Sequence, residues 1–241
     1  MLKAVYRYEM DKLLKSSKLI VPLLILVAYI GIAYSIAPLE ILSSFSICSL
    51  VLFMLMISVG VMQDDVNDSM IEQTILVKLR RKELFYLGKV ALIGVVSIVF
   101  SLVSVLLPLF IHVFRGSMLF SREIVISDVL SSFVLFWLFG FCGGMIGIFT
   151  NHRIIPNRKT AIMFCIAFGL LAIIKGAITE RFEFLQYITW ILPPVHDLSV
   201  AYCQNTYFRF SQTWIYFVWF TGYIGIEILA YVKIMRKRGF E

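Results

Sequence analysis

The sequence predicts an all-α, polytopic membrane fold, and three observations point to it. Hydrophobic residues make up 60% of the 241 residues and charged ones 15%, against roughly 25% charged in soluble domains. Six apolar runs, 19–37, 41–62, 90–113, 127–149, 161–178 and 214–232, approach or exceed the length of about 20 residues that crosses a hydrocarbon core of roughly 30 Å. Basic residues also sort by side. The N-terminus, the connections 63–89 and 150–160 and the C-terminus hold 17 of them, and the opposite side holds Arg115, Arg122, Lys175, Arg181 and Arg209. The positive-inside rule then places both termini in the cytoplasm of a multi-pass protein. The net charge of +7 reads as topology and attraction to anionic lipid, not as a nucleic-acid surface, because the basic residues are dispersed. The longest connection, 63–89, has 27 residues against about 50 for the smallest domains, so residues 1–241 read as one membrane domain.

Within residues 1–18, Leu2, Val5, Tyr6, Met10, Leu13 and Leu14 recur at helical spacing, while Arg7, Asp11 and Lys15 form an i, i+4 ladder on another face. This is an amphipathic helix suited to the inner interface, and the segment is not a cleavable signal. Pro22 falls in the opening turn of the first span, where its missing N–H costs little, and Pro38-Leu39-Glu40 turns the chain back. The second span opens with Ser43, Ser44, Ser46 and Ser49. Serines in a bilayer bond their own helix or a neighbour; the alternative is that Ser43 and Ser46, on one face, line a substrate path.

Residues 63–89, QDDVNDSMIEQTILVKLRRKELFYLGK, form the longest water-compatible stretch and hold one third of the chain's 15 acids. Ser69-Met70-Ile71-Glu72 fits a capping box, so a helix is expected from Met70 with Ile71, Thr74, Ile75 and Leu79 on one side. From the residues alone, a solvated loop and a docking element weigh about equally. The acidic run, the helix opening near Glu72, the Arg81-Lys82-Glu83 triplet and the closing Gly88-Lys89 resemble the first cytoplasmic loop of type-2 ABC transporter permeases. Lys78 and Arg80 stand where that family carries Pro and Ser. The resemblance implies a coupling helix that docks on a separate ATPase subunit through Asp65, Ser69, Glu72, Gln73, Leu76, Arg81 and Glu83. It also implies an "elbow" helix over residues 1–18, an external re-entrant helix pair, two permease copies around the path, and ATP and Mg bound by the partner ATPase, with no cofactor on this chain.

The third span carries Pro108 and ends at His112, and Ser127 and Asp128 are placed to cap the fourth. Gly140, Gly143, Gly144 and Gly147 follow i, i+3, i+4, i+7, which strips one helix face to backbone and invites close helix packing, within one subunit in preference to a dimer contact. Lys175, near the outer end of the fifth span, is expected to snorkel to the headgroups, with substrate contact as the weaker alternative. Residues 179–213 are greasy, with Phe182, Phe184, Leu185, Tyr187, Ile188, Trp190, Ile191 and Leu192 before Pro193-Pro194; two short helices dipping into the outer leaflet fit this pattern. Trp214, Tyr216, Trp219 and Tyr223 form an aromatic belt on the last span.

His112, His152 and His196 lack metal-ligand spacing, and the four cysteines imply no disulfide framework. P-loop, GxSxG and HExxH motifs are absent from the sequence, so no catalytic residue is expected. The six runs read as almost free of ionisable residues, which disfavours a secondary transporter. The resemblance therefore implies a permease of an ATP-driven exporter in the bacterial cell membrane, homodimeric or paired with a sister permease, with amphipathic or antimicrobial peptides as substrate. The alternatives are export of a lipid or small drug, or a membrane anchor or sensor that recruits an ATPase without transport.

Overall fold

The computed structural model describes residues 2–66, 83–116, 118–151, 154–155, 157–182, 189–204 and 207–237. Among them every regular element is helical apart from one isolated β-bridge, Leu39 to Phe120. In chain order the helices are α1 (Leu2–Lys15), α2 (Ile20–Ala33), α3 (Ile41–Val66), α4 (Glu83–Phe114), α5 (Ile126–Ile148), α6 (Arg158–Arg181), α7 (Val195–Cys203) and α8 (Phe210–Lys237). A 3₁₀ turn, Thr189–Ile191, precedes α7.

Five helices, α3, α4, α5, α6 and α8, are long and apolar enough to cross a membrane. The first apolar run is where expectation and structure part. Instead of filling 19–37, the helix stops at Ala33, which gives about 21 Å at 1.5 Å per residue. Two forces end it early. Pro38 disfavours helical backbone just before it. In addition, the Arg115 guanidinium donates to the carbonyls of Tyr34 (3.2 Å) and Ser35 (2.8 Å), satisfying acceptors that a longer helix would have used. Tyr34 is buried against Phe45 and Phe120, and Leu39 exchanges backbone hydrogen bonds with Leu119 and Ser121. The turn after α2 is thus sewn to the loop between α4 and α5.

α5 is the centre of the bundle. Its most extensive neighbour is α3, followed by α4. The contact with α3 is made by glycine: a Cβ on Gly143 would collide with the Phe53 carbonyl, one on Gly147 with the Ile57 carbonyl, and one on Gly60 of α3 with the Gly144 carbonyl. Lipid tails are as apolar as leucine, so helices in a bilayer gain from close van der Waals packing. Missing side chains bring two backbones together. On the α4 side, Ser97, Ser101 and Ser104 are fully buried and each bonds a carbonyl of its own helix, leaving a slim face beside Gly140 and Gly144.

α1 turns Leu13 inward, with Tyr6 and Met10 packed beside it, and joins the cluster of α2, α3, α4 and the end of α8. Arg7, Asp11 and Lys15 stay exposed, so the ladder and the buried stripe separate as the periodicity predicts. A second apolar cluster collects α6, α7 and the middle of α8 around α3 and α5.

Candidate functional site

Two polar assemblies mark the two ends of the bundle. At one end α3 finishes and α4 begins, and both reach further into the connection than the apolar runs suggest. α3 continues to Val66 and α4 starts at Glu83, so only residues 67–82 lie between them. The expected loop 63–89 is corrected accordingly: Glu83, Gly88 and Lys89 belong to a continuous helix of 32 residues. Helical backbone satisfies its own hydrogen bonds whether or not lipid surrounds it, so the helix need not end where the apolar run does. Ser69, Glu72, Gln73, Leu76 and Arg81 fall outside the described residues; Asp65 stands on the last turn of α3.

The feet of this connection are held. Buried Gln63 on α3 donates from Nε2 to the Lys89 carbonyl on α4, at 3.4 Å. Lys89 is itself buried, its ammonium 5.1 Å from the centre of the Phe85 ring. Tyr86 packs edge-on against Tyr231 of α8, which also meets Phe149 at the end of α5. Glu83 reaches Arg236 in the last turn of α8 at 3.0 Å. The ends of α3, α4, α5 and α8 are therefore one packed base.

At the opposite end the segment between α6 and α8 is locked over the start of α5. Asp128, with no exposed surface, accepts from Arg122 at 2.7 Å, from the Val125 N–H at 3.3 Å and from the Phe208 N–H at 3.3 Å. Ser127 and Asp128 were the expected caps; the helix instead starts after Val125, and Asp128 reaches back from the third helical position. Arg122 also stacks 4.1 Å from the Tyr207 ring. One turn along, Ser131 and Ser132 both meet the Tyr202 hydroxyl, at 3.0 and 2.9 Å. Burial pushes that hydroxyl up to about 12, while the two serine contacts pull it the other way and Asp128 adds to the rise. It therefore remains a neutral donor at physiological pH.

Of the expected path residues, Ser46 and Lys175 have protein partners and Ser43 borders a cleft. Ser46 is buried and its Oγ lies 2.5 Å from Ser199 Oγ of α7. Ser43 borders a small cleft with Glu40, Ser121, Arg122 and Cys203. Lys175 ion-pairs with Asp197 of α7 at 2.6 Å and is 12% exposed; Gly176 beside it lies under the His196 ring. Of the two expected dipping helices, the described part of 179–213 shows α7, with Pro194 at its N-cap position, and the 3₁₀ turn before it. Residues 183–188 are not described.

Sequence reasoning passed over the Arg122–Asp128 pair, Tyr202 and Glu227. Tyr202 gave no periodic signal, since its partners Ser131 and Ser132 lie 71 and 70 residues away. Glu227 did: it is an ionisable residue inside the run 214–232, which is by itself a pointer to function. Among the described residues no three His, Cys, Asp or Glu side chains gather as a metal site. Comparisons with protein-family models, with curated proteins and with solved structures each find no match to this chain.

Proposed function

We propose that this chain is the permease subunit of an ATP-driven transporter, making no chemical step itself and moved by a separate ATPase through the connection between α3 and α4. The observation that carries the reading is the rooting of that charged connection: its feet are tied to each other by Gln63 and Lys89 and to α8 by Glu83 and Arg236. A push on residues 67–82 would reach three membrane-length helices as one body. In this reading α2 completes a sixth crossing. Its C-terminal end is held by Arg115 at the end of α4, far from the base, and both termini then lie on the basic, cytoplasmic side. Two copies, with two ATPases that carry ATP and Mg, would enclose the path and alternate between inward-open and outward-open populations. Amphipathic peptides suit a sparsely polar path. A lipid or small drug is the second reading, supported by an aromatic cavity that opens sideways between α6 and α8.

Co-purification tests the core of the proposal. The native chain is expected to carry a P-loop ATPase through detergent extraction, and Glu72→Lys with Arg81→Glu to release it while the chain still inserts. Undiminished ATPase on the double variant would remove the docking role. Reconstituted with its ATPase, a permease shows hydrolysis stimulated by one class of substrate, whereas an anchor leaves the rate flat across all of them.

A further inference from the structure

α6 and α8 scarcely touch one another. Between them, backed by α5 and roofed by the Thr189–Ile191 turn, lies a cavity of about 500 Å³, within the roughly 300–1,000 Å³ usual for small-molecule sites. Its walls are aromatic and aliphatic. Phe164 and Phe168 of α6 stack on one side, and Trp190 meets Trp219 of α8 at 5.3 Å between ring centres. Trp219, Tyr223 and Glu227 recur every four residues, so α8 presents one continuous stripe to the cavity.

Glu227 is the exception in that stripe. It is 8% exposed and lines the cavity. Among the described residues its Oε1 meets only the Cys142 thiol, at 3.8 Å. Its Oε2 has no hydrogen-bond partner among the described residues. Among the described residues no Lys, Arg or His side chain lines the cavity. The Tyr223 hydroxyl, one turn away, is already committed to the Ile191 carbonyl at 2.8 Å. A carboxylate is expensive to bury unless a cation or donor reaches it, and this one borders a ligand-sized space with its Oε2 buried at the wall. Phe164, Trp190, Trp219 and Ile226 are all substantially exposed at its rim, so in a bilayer the cavity opens toward the acyl chains and not toward water.

We propose that this cavity binds a cationic amphiphile, a hydrophobic molecule with one protonated amine, with the amine paired to Glu227 and the apolar body held among Phe164, Phe168, Trp190 and Trp219. The aromatic faces add cation–π attraction to the carboxylate's charge, and the open side admits the ligand laterally from the membrane. Binding needs no ATPase. Only the further step, that the bound amine is cargo, rests on the transporter reading.

The test uses the full chain in phosphatidylcholine nanodiscs and a dansylated alkylamine, read by energy transfer from tryptophan, with empty nanodiscs subtracted. The amine is expected to bind about tenfold tighter or more than the dansylated alcohol of equal length, a difference of about 1.4 kcal/mol. Glu227→Gln should abolish that preference and leave alcohol binding unchanged. Ala230→Trp, which fills the cavity and keeps the carboxyl, should weaken both probes. Equal binding of amine and alcohol by the native chain would reduce the cavity to a lipid-chain groove and overturn the proposal, as would a preference that survives Glu227→Gln. Exclusion of both probes, together with Ile226→Cys cross-linking between copies, would assign the groove to a second copy and overturn it equally. Failure here leaves ATPase co-purification untouched, and failure of co-purification leaves the amine preference untouched.

Discussion

The α3–α5 seam and the α6–α8 side are both built from membrane-length apolar helices and packed in opposite ways. In α5 and α3, 67% and 56% of the membrane-crossing window is buried inside the protein, against 28% in both α6 and α8. Hydropathy does not explain the difference, since α6 and α3 share a mean value of 2.4. Glycine placement does. On α5, Gly143 and Gly147 face α3 backbone and Gly140 and Gly144 face side chains of α3 and α4, whereas Gly222 and Gly225 of α8 have no atom near enough to meet an added Cβ. One pair of helices forms a rigid spine, and the other two leave a gap that a lipid, a ligand or another copy can occupy.

The strongest way to break this contrast is to put side chains into the seam. Gly147→Leu, and Gly143→Val beside it, would drive a side chain into α3 backbone, which cannot move aside like a flexible side-chain tip. Overpacking of a well-filled core costs about 1–3 kcal/mol and occasionally more; the expected outcome is loss of the monodisperse species in size-exclusion chromatography. A normal elution profile from both variants would mean the seam is looser than described.

A more local effect is expected from Asp128→Ala, which leaves Arg122 and two backbone N–H groups without their acceptor. Removing one partner of a buried ion pair costs about 3–5 kcal/mol, and Arg122, 11% exposed, places the loss toward the lower end. Because the damage sits at one end of the bundle, the chain should still insert, with a lower melting temperature and faster proteolysis between α7 and α8. Unchanged proteolysis would show that the segment between α6 and α8 is held by its apolar contacts alone.

The smallest effect sharpens the comparison from the other side. Gly222→Ala and Gly225→Ala should stay within about 0.5 kcal/mol of the native chain in thermal melts, as for surface substitutions away from special features. A large loss at either would mean that α8 is covered by a partner in the assembled protein.

Much of the fold was legible along the chain. Runs of apolar residues mark helices because every backbone polar group in lipid must be satisfied within its own segment, and four glycines at i, i+3, i+4, i+7 mark a face that must touch something closely. Gly60 was not legible. It stands alone in α3, and only the approach of Gly144 and Gly147 makes its missing side chain matter. The lock over the start of α5 was equally hidden: Asp128 is joined to Phe208, 80 residues away, and Ser132 to Tyr202, 70 residues away. No window of sequence holds both partners. Ser46 and Lys175 differ again, since they were visible as polar groups in apolar runs, and their partners Ser199 and Asp197 on α7 were not.

By itself, then, the sequence determined the solvent this protein lives in, the helical state of its backbone and the face on which α5 is bare. Those properties follow from composition and from a period of 3.6 residues, both local quantities. Tertiary structure decided where α2 stops, which helix meets the glycines, how α7 is clamped and why Glu227 looks into an aromatic cavity. Each of these depends on which distant residue arrives at a given place, and packing, not propensity, sets that arrival.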